Sequence, residues 1–218
     1  MCKFATFSLI GVGAAAGFMA AGLVSNPAGA EPEKKPAAPA IKAPADAVKA
    51  AADAAMMEAF MKASTPGEHH KLLEPFAGTW DCKAMFHFDE SQPPEQTSGT
   101  MKNSWVLGGR LLRQEWTGTM MGLPFEGLGY WGHDNVEGKF IGMWMDTFGT
   151  GWMTSTGDYD AKARAWTMRG SFKDPMGAAY TQRQVIASKS DKENTMEIYH
   201  TAPDGKERLA ARFDFTRK

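Results

Sequence analysis

Residues 78–88 read GTWDCKAMFHF, and along this stretch the side chains alternate between the two faces of an extended chain. One face carries Trp80, Cys82, Ala84, Phe86 and Phe88, while the other carries Asp81, Lys83, Met85 and His87. A period of two with one largely apolar face is typical of a strand that buries one side. The stretch therefore predicts a half-buried antiparallel strand, with Cys82 as an inert position in the core.

The same alternation returns at the end of the chain, where Leu209, Ala211, Phe213 and Phe215 share one face of residues 207–217. Turn-forming pairs such as Gly108-Gly109 and Asp204-Gly205 separate the apolar runs between these two stretches. Together they predict about ten strands, near residues 79–88, 97–107, 110–120, 125–134, 139–146, 151–159, 165–172, 179–188, 195–201 and 207–217.

Short connections between these strands favour a meander of sequential hairpins. An open sheet of ten strands would expose two edges, and closing the sheet removes both. We therefore predict a mainly β fold, an antiparallel up-and-down barrel of about ten strands, with a two-sheet sandwich as the second choice. A barrel of this width leaves an interior cavity unless aromatic side chains fill it.

Two helices are predicted ahead of the barrel domain, which we assign to residues 65–218. Residues 45–64 are rich in alanine and predict a helix of weak amphipathicity. Thr65-Pro66-Gly67-Glu68 then resembles the start of a short second helix, with Thr65 as its N-cap.

The N-terminus predicts export. Residues 1–30 combine Lys3, an uncharged apolar run and the triplet Ala28-Gly29-Ala30, as in a secretory signal peptide cleaved after Ala30. A retained membrane anchor is the alternative. Residues 31–44 contain four prolines and predict an extended linker. We expect a periplasmic or secreted protein with no membrane span after cleavage.

Composition excludes several classes of function. The chain has 24 basic and 25 acidic side chains, so bulk charge does not indicate nucleic-acid binding. The glycines of Gly127-Leu128-Gly129 lack the lysine and the following helix of a phosphate loop. Of the five histidines only His69 and His70 are close in sequence, and they point to different sides of their helix. We therefore expect neither a metal site nor a cofactor.

A family resemblance rests on two sets of residues. Gly78-Thr79-Trp80, preceded by a short helix, resembles the opening of lipocalins and other calycins, in which the indole plugs the closed end of the barrel. The wider series resembles the bacterial family of unknown function DUF1579 over roughly residues 68–218; it includes Leu107-Gly108-Gly109-Arg110, Gly127-Leu128-Gly129-Tyr130, Gly142-Met143-Trp144-Met145-Asp146 and Gly157-Asp158-Tyr159-Asp160. The resemblance implies a lipocalin-like barrel and no established activity, so it assigns no catalytic residue.

A candidate ligand site combines aromatic walls with a few polar groups, the usual composition of a small-molecule pocket. Its members are Arg113, Glu115, Trp116, Tyr130, Trp144, Asp146, Trp152, Arg183 and Glu197. The charged members point inward in this hypothesis, where an arginine would bind a ligand carboxylate. Charge pairs on the outer surface are the alternative. Glycines in the strands would let Trp144 and Trp152 pack closely.

Three functions remain open from the sequence. The first is an exported barrel that binds a small hydrophobic molecule with a polar head. The second is a non-catalytic envelope module with a filled barrel and a protein partner of unknown kind. The third, which we favour less, is an enzyme in which a carboxylate such as Glu115 pairs with Asp146 or Glu197 as acid and base.

Overall fold

The computed structural model describes residues 45–88 and 91–218, so the predicted signal peptide and linker lie outside the described residues. Two helices come first, α1 (Ala45–Ser64) and α2 (Glu68–Lys71), followed by a 3-10 turn (Glu74–Phe76). Ten strands follow: β1 (Gly78–Phe86), β2 (Glu95–Val106), β3 (Leu111–Met120), β4 (Leu123–Asp134), β5 (Lys139–Asp146), β6 (Met153–Asp160), β7 (Ala165–Lys173), β8 (Ala179–Ser188), β9 (Glu193–Thr201) and β10 (Glu207–Arg217).

The strands form one closed barrel in which each strand pairs antiparallel with its sequence neighbours. The first strand closes the circle by pairing with β10, and Trp80 lies opposite Arg217 in that pair. The prediction of a ten-stranded up-and-down barrel is confirmed. A bulge at Ala210 interrupts the register between β9 and β10. It shifts the alternation, so that both Arg208 and Ala211 pair with inward-facing residues of β9.

Two predicted positions differ from the structure, one at the end of a strand and one at the start of a helix. Phe88 lies beyond the last residue of β1, and 59% of its surface is exposed. The predicted N-cap Thr65 does not start α2, because Gly67 holds that position. The Thr65 hydroxyl instead donates to the carbonyl of Met61 at the end of α1. At both positions the element ends or starts one or two residues away from the boundary that the sequence pattern predicted.

The closed end of the barrel is sealed by Trp80 and the residues that hold it. Its indole is 1% exposed, and its Nε1 donates to the carbonyl of Phe76 at 2.8 Å. The Arg217 guanidinium lies 4.2 Å above the ring and donates to the carbonyls of Ala77 and Pro75. The glycine that precedes this plug, Gly78, has a φ of 115°, which only glycine adopts readily. The role that the resemblance implied for Trp80 is therefore observed.

The free thiol of Cys82 lies in the apolar core of the barrel wall. It is 1% exposed, and burial raises its pKa to about 11. A thiol with so high a pKa is not ionised near neutral pH and is a poor nucleophile. These observations support the predicted inert position.

Helix α1 contacts the barrel only near its own C-terminus among the described residues. The Nδ2 of Asn135 donates to the carbonyls of Lys62, Ala63 and Thr65, and Arg110 donates to the carbonyl of Ser64. Most α1 side chains are exposed, including 64% of the surface of Phe60. In residues 45–88 and 91–218, no helix has the length and apolarity needed to cross a membrane.

Three histidines meet at the closed end, where α2 packs on β4. The ring of His69 stacks on that of His133 with centroids 4.3 Å apart, and His70 approaches the same ring edge-on. The Nδ1 of His70 accepts a hydrogen bond from the backbone N–H of Gly67. Burial lowers the pKa of His70, and the neighbouring histidines and Arg110 lower it further. Burial also lowers the pKa of His133.

Acidification from about pH 7.5 to about pH 5.5 is therefore expected to lower the free energy of unfolding. The folded pKa values of His70 and His133 lie below the unfolded value, so the unfolded chain binds more protons as the pH falls through about 6.5. Urea denaturation at both pH values measures the loss. It should shrink in His70→Asn and persist in His87→Gln, which changes a histidine beyond β1 at the other end. Equal losses in the wild type and His70→Asn would contradict this assignment.

Candidate functional site

A cavity of about 960 Å³ occupies the barrel interior. Its lining runs from Phe76 and Trp80 at the closed end to loop residues such as Phe148 and Trp152 at the other. The cavity thus opens at the end where β1, β3, β5, β7 and β9 finish. Its volume is at the upper end of the range typical of small-molecule pockets, and apolar side chains predominate in its lining.

Two tryptophans form much of the apolar wall. Trp116 is 3% exposed. It packs against Gly99 of the neighbouring strand β2 and against Gly118 of its own strand β3. Trp144 packs against Gly127 and Gly129 of β4 in the same way. A side chain at any of these glycines would collide with an indole or with the adjacent backbone. The predicted close approach is thus confirmed for Trp144, whereas Trp152 lies in a loop and is 69% exposed.

Further aromatic rings extend the wall toward the opening. Phe125 meets Trp116 and Phe148 edge-on, with centroids 5.0 and 5.2 Å apart. Across the cavity Phe86 meets Phe213 edge-on at 5.4 Å. Edge-to-face contacts of this kind hold rings in fixed positions. The opening therefore has a rigid aromatic rim on two sides.

A row of mainly polar residues crosses the part of the wall that is formed by β6 to β10. The strand register places Ser155, Gly170, Gln182, His200 and Arg208 side by side on successive strands. The Nε2 of His200 lies 3.0 Å from the Oε1 of Gln182, which fits an Nε2–H that donates to the amide oxygen. Burial lowers the pKa of His200 and favours its neutral form. We call Ser155, Gln182 and His200 the polar stripe.

Formal charge in the described lining is confined to the open end. The charged lining residues are Asp146, Lys173, Asp174 and Arg208. Both carboxylate oxygens of Asp146 are engaged, since Oδ2 accepts from the Trp144 indole at 3.0 Å and Oδ1 accepts from the N–H of Phe148. Asp146 thus fixes the wall tryptophan and the loop after β5. Arg208 is held by two hydrogen bonds from its guanidinium to Asp204.

Of the nine predicted site residues, the structure brings Trp116, Trp144 and Asp146 together inside the barrel. Trp152 reaches the cavity from the loop at its opening. Tyr130 also borders the cavity, although the alternation of β4 places its side chain on the outer face of the wall. The other four lie on the outer face, where the alternation of each strand places them; they are Arg113, Glu115, Arg183 and Glu197. The inward orientation of the charged members is corrected accordingly.

Ion pairs explain why these charges stay outside. Arg113 pairs with Glu115 at 2.6 Å, and about two fifths of the Arg113 side chain is exposed. Arg183 makes two hydrogen bonds to Glu207, and its guanidinium lies 4.0 Å from the centre of the Tyr199 ring. Solvated pairs of this kind avoid the large cost of burying a charge without a partner. Neither arginine is placed to bind a carboxylate inside the barrel.

The predicted carboxylate pairs do not form. Glu115 and Glu197 are on the outer face, whereas Asp146 is inside and already accepts two hydrogen bonds. Glu197 accepts from the Tyr199 hydroxyl at 2.7 Å and pairs with Arg212. An acid and a base need to face one substrate. These residues therefore do not supply the proposed enzymatic pair.

The sequence analysis missed Ser155, Gln182 and the other amides of the interior. Gln182 is 8% exposed, and Ser155 is equally buried. Asn103 and Asn194 are also buried, and each leaves its side-chain oxygen without a hydrogen-bond partner. The alternation of side chains along each strand places these residues inside, because Gln182 shares a strand face with the apolar Ile186, and Asn194 shares one with Met196.

Metal ligation has no geometric support in the part of the chain that the structure describes. No group of three or more His, Cys, Asp or Glu side chains within residues 45–88 and 91–218 is arranged to hold a metal ion. The histidines at the closed end make ring contacts with each other, and His200 bonds to Gln182.

The fold and the cavity define a lipocalin-like protein, a closed antiparallel barrel with one plugged end and one open end. Sequence comparison then gives the family. The chain belongs to DUF1579, a family described as a protein of unknown function, whose model matches residues 65–217. None of the curated proteins matches the sequence.

Solved structures show the same type of barrel at low sequence identity. A crystal structure of Rv2717c from M. tuberculosis is 14% identical, with a TM-score of 0.53, and the match covers 71% of this chain and 99% of that one. An S-type phycobiliprotein lyase, CPES from Guillardia theta, is also 14% identical, with a TM-score of 0.46 and coverage of 70% and 98%. The similarity to the Rv2717c structure supports the fold alone.

Proposed function

We propose that this protein binds one small, largely apolar molecule inside its barrel. The observation that carries the proposal is the cavity of about 960 Å³, open at one end and walled by Trp116, Trp144 and Phe213. Burial of apolar ligand surface in such a pocket contributes roughly 25 cal/mol per Å² before the costs of association. A filled barrel would leave no such space, so the interior favours a ligand-binding protein over a structural module.

Titration with N-phenyl-1-naphthylamine, an uncharged apolar fluorophore, tests the proposal directly. Its emission should rise and saturate at one equivalent, with matching quenching of the protein's tryptophan fluorescence. Quenching is expected because five tryptophans line the cavity, namely Trp80, Trp116, Trp131, Trp144 and Trp152. Emission that rises linearly without saturation would indicate nonspecific surface binding and would contradict the proposal.

We also propose that the chain is exported and cleaved after Ala30, on the basis of its N-terminal sequence. The mature protein would then be periplasmic or secreted and begin at Glu31. The intact mass of the protein recovered from the periplasmic fraction is the measurement. A mass that includes residues 1–30 would favour the retained anchor, and it would leave the ligand-binding proposal unaffected.

A further inference from the structure

The polar side chains of the mainly apolar interior wall carry no formal charge. Its buried polar side chains in the lining are amides and a hydroxyl, namely Asn103, Ser155, Gln182 and Asn194, and the half-buried His200 has an environment that favours the neutral form. The charged lining residues all lie at the ends of strands or in loops at the opening. An ionised group carried into the interior would lose its hydration and meet no opposite charge.

The polar stripe has free hydrogen-bonding capacity that faces the cavity. The Oε1 of Gln182 lies 3.0 Å from the Nε2 of His200, and no hydrogen bond from the Gln182 amide nitrogen is found among residues 45–88 and 91–218. The Ser155 hydroxyl, which both donates and accepts, lies beside it across Gly170 in the strand register. On its other side Ser155 pairs with Gly142, so the wall on both flanks carries no side chain. Ser155, which lines the cavity, is thus flanked by glycines on both neighbouring strands.

One cation shares the register row of the stripe, namely Arg208, which pairs with His200. Its guanidinium donates to Asp204 at 2.8 and 3.3 Å, and this contact lowers the pKa of the Asp204 carboxyl to about 2. The carboxylate therefore stays ionised and balances the arginine charge. A ligand anion at this position would have to displace Asp204 from its partner.

We propose that the ligand carries an uncharged polar group, either a hydroxyl or an amide; this inference rests on the proposed function. The group binds the polar stripe through the Gln182 amide nitrogen and the Ser155 hydroxyl. The apolar remainder lies against Trp116, Trp144 and Phe213. Such a group accepts from Gln182 and donates to Ser155 without bringing a net charge into the barrel. This names the ligand class as neutral amphipathic molecules rather than fatty-acid anions or amines.

Four molecules with the same twelve-carbon chain test this inference by displacing N-phenyl-1-naphthylamine near neutral pH. Dodecan-1-ol and dodecanamide should displace the probe at concentrations about tenfold or more below those of dodecanoate and dodecylammonium. Tighter binding of dodecanoate, lost in Arg208→Gln, would overturn the inference and identify the opening as an anion site. Failure of the probe itself to bind would instead refute the proposed function.

A second arm assigns the preference to the polar stripe. Gln182→Met keeps the length of the side chain and removes its amide, so the preference for dodecanamide over dodecanoate should fall by about tenfold while the probe still binds. Thr181→Met is the matched control, because Thr181 is exposed on the outer face of β8. An unchanged preference in Gln182→Met would overturn the role of the stripe. The comparison of ligands on the wild-type protein remains decisive if this variant does not fold.

Discussion

Replacing Trp80 by alanine is expected to lower the free energy of unfolding by about 3–5 kcal/mol, the usual cost of deleting a fully buried aromatic side chain. The indole is 1% exposed, bonds to the carbonyl of Phe76 and supports the Arg217 guanidinium on its face. The variant leaves a cavity at the plugged end and removes the surface on which Arg217 lies. Urea denaturation followed by circular dichroism measures the change.

Trp152→Ala provides the control for this prediction. The Trp152 side chain is 69% exposed in the loop after β5, so its removal should change stability by no more than about 0.5 kcal/mol. Similar losses in both variants would show that Trp80 does not seal the barrel in the way described.

Replacing Gln184 by tryptophan is expected to weaken N-phenyl-1-naphthylamine binding by about tenfold or more, because a tryptophan there takes up space that the ligand needs. Gln184 lines the cavity and lies between Met168 and Ile198 in the strand register. Its half-buried position leaves room for the larger side chain to project into the interior. Fluorescence titration gives the dissociation constant.

The next residue supplies a matched control for the blocked cavity. Val185 lies on the alternate face of β8 and pairs with Glu197 on the outside of the wall. Val185→Trp adds a tryptophan one position away without entering the interior, so probe affinity should stay within about twofold of the wild type. Equal effects of the two substitutions would argue that the probe binds outside the barrel.

The fold was predictable from the sequence because its pattern is local. The alternation of Trp80, Cys82, Ala84 and Phe86 fixes one buried face of β1, and the turn residues set the ends of the hairpins. Closure followed from the cost of exposed edges. Phe88 departed from the pattern because β1 ends at Phe86, and alternation alone does not show where strand pairing stops.

The candidate site was less predictable, because its residues become neighbours only through the barrel register. Arg113 and Arg183 were proposed as interior residues on their chemistry, yet each has an acidic partner on the outer face. Gln182 and Ser155 come from different hairpins, and nothing in their spacing along the chain indicates that they adjoin across Gly170. Both Gln182 and Ser155 lie on the strand face opposite the charged residues, so assigning that face to the interior would have identified them.

The most direct test of a ligand inside the barrel is a crystal structure of the protein soaked with 12-bromododecan-1-ol. Anomalous scattering from bromine locates the end of the apolar chain independently of any assumption about the site. The proposed function predicts one bromine peak within the barrel, near Trp144 and Phe213 on the open side, with the hydroxyl at Gln182 and Ser155. An interior filled by protein side chains, with bromine only on the outer surface, would contradict it.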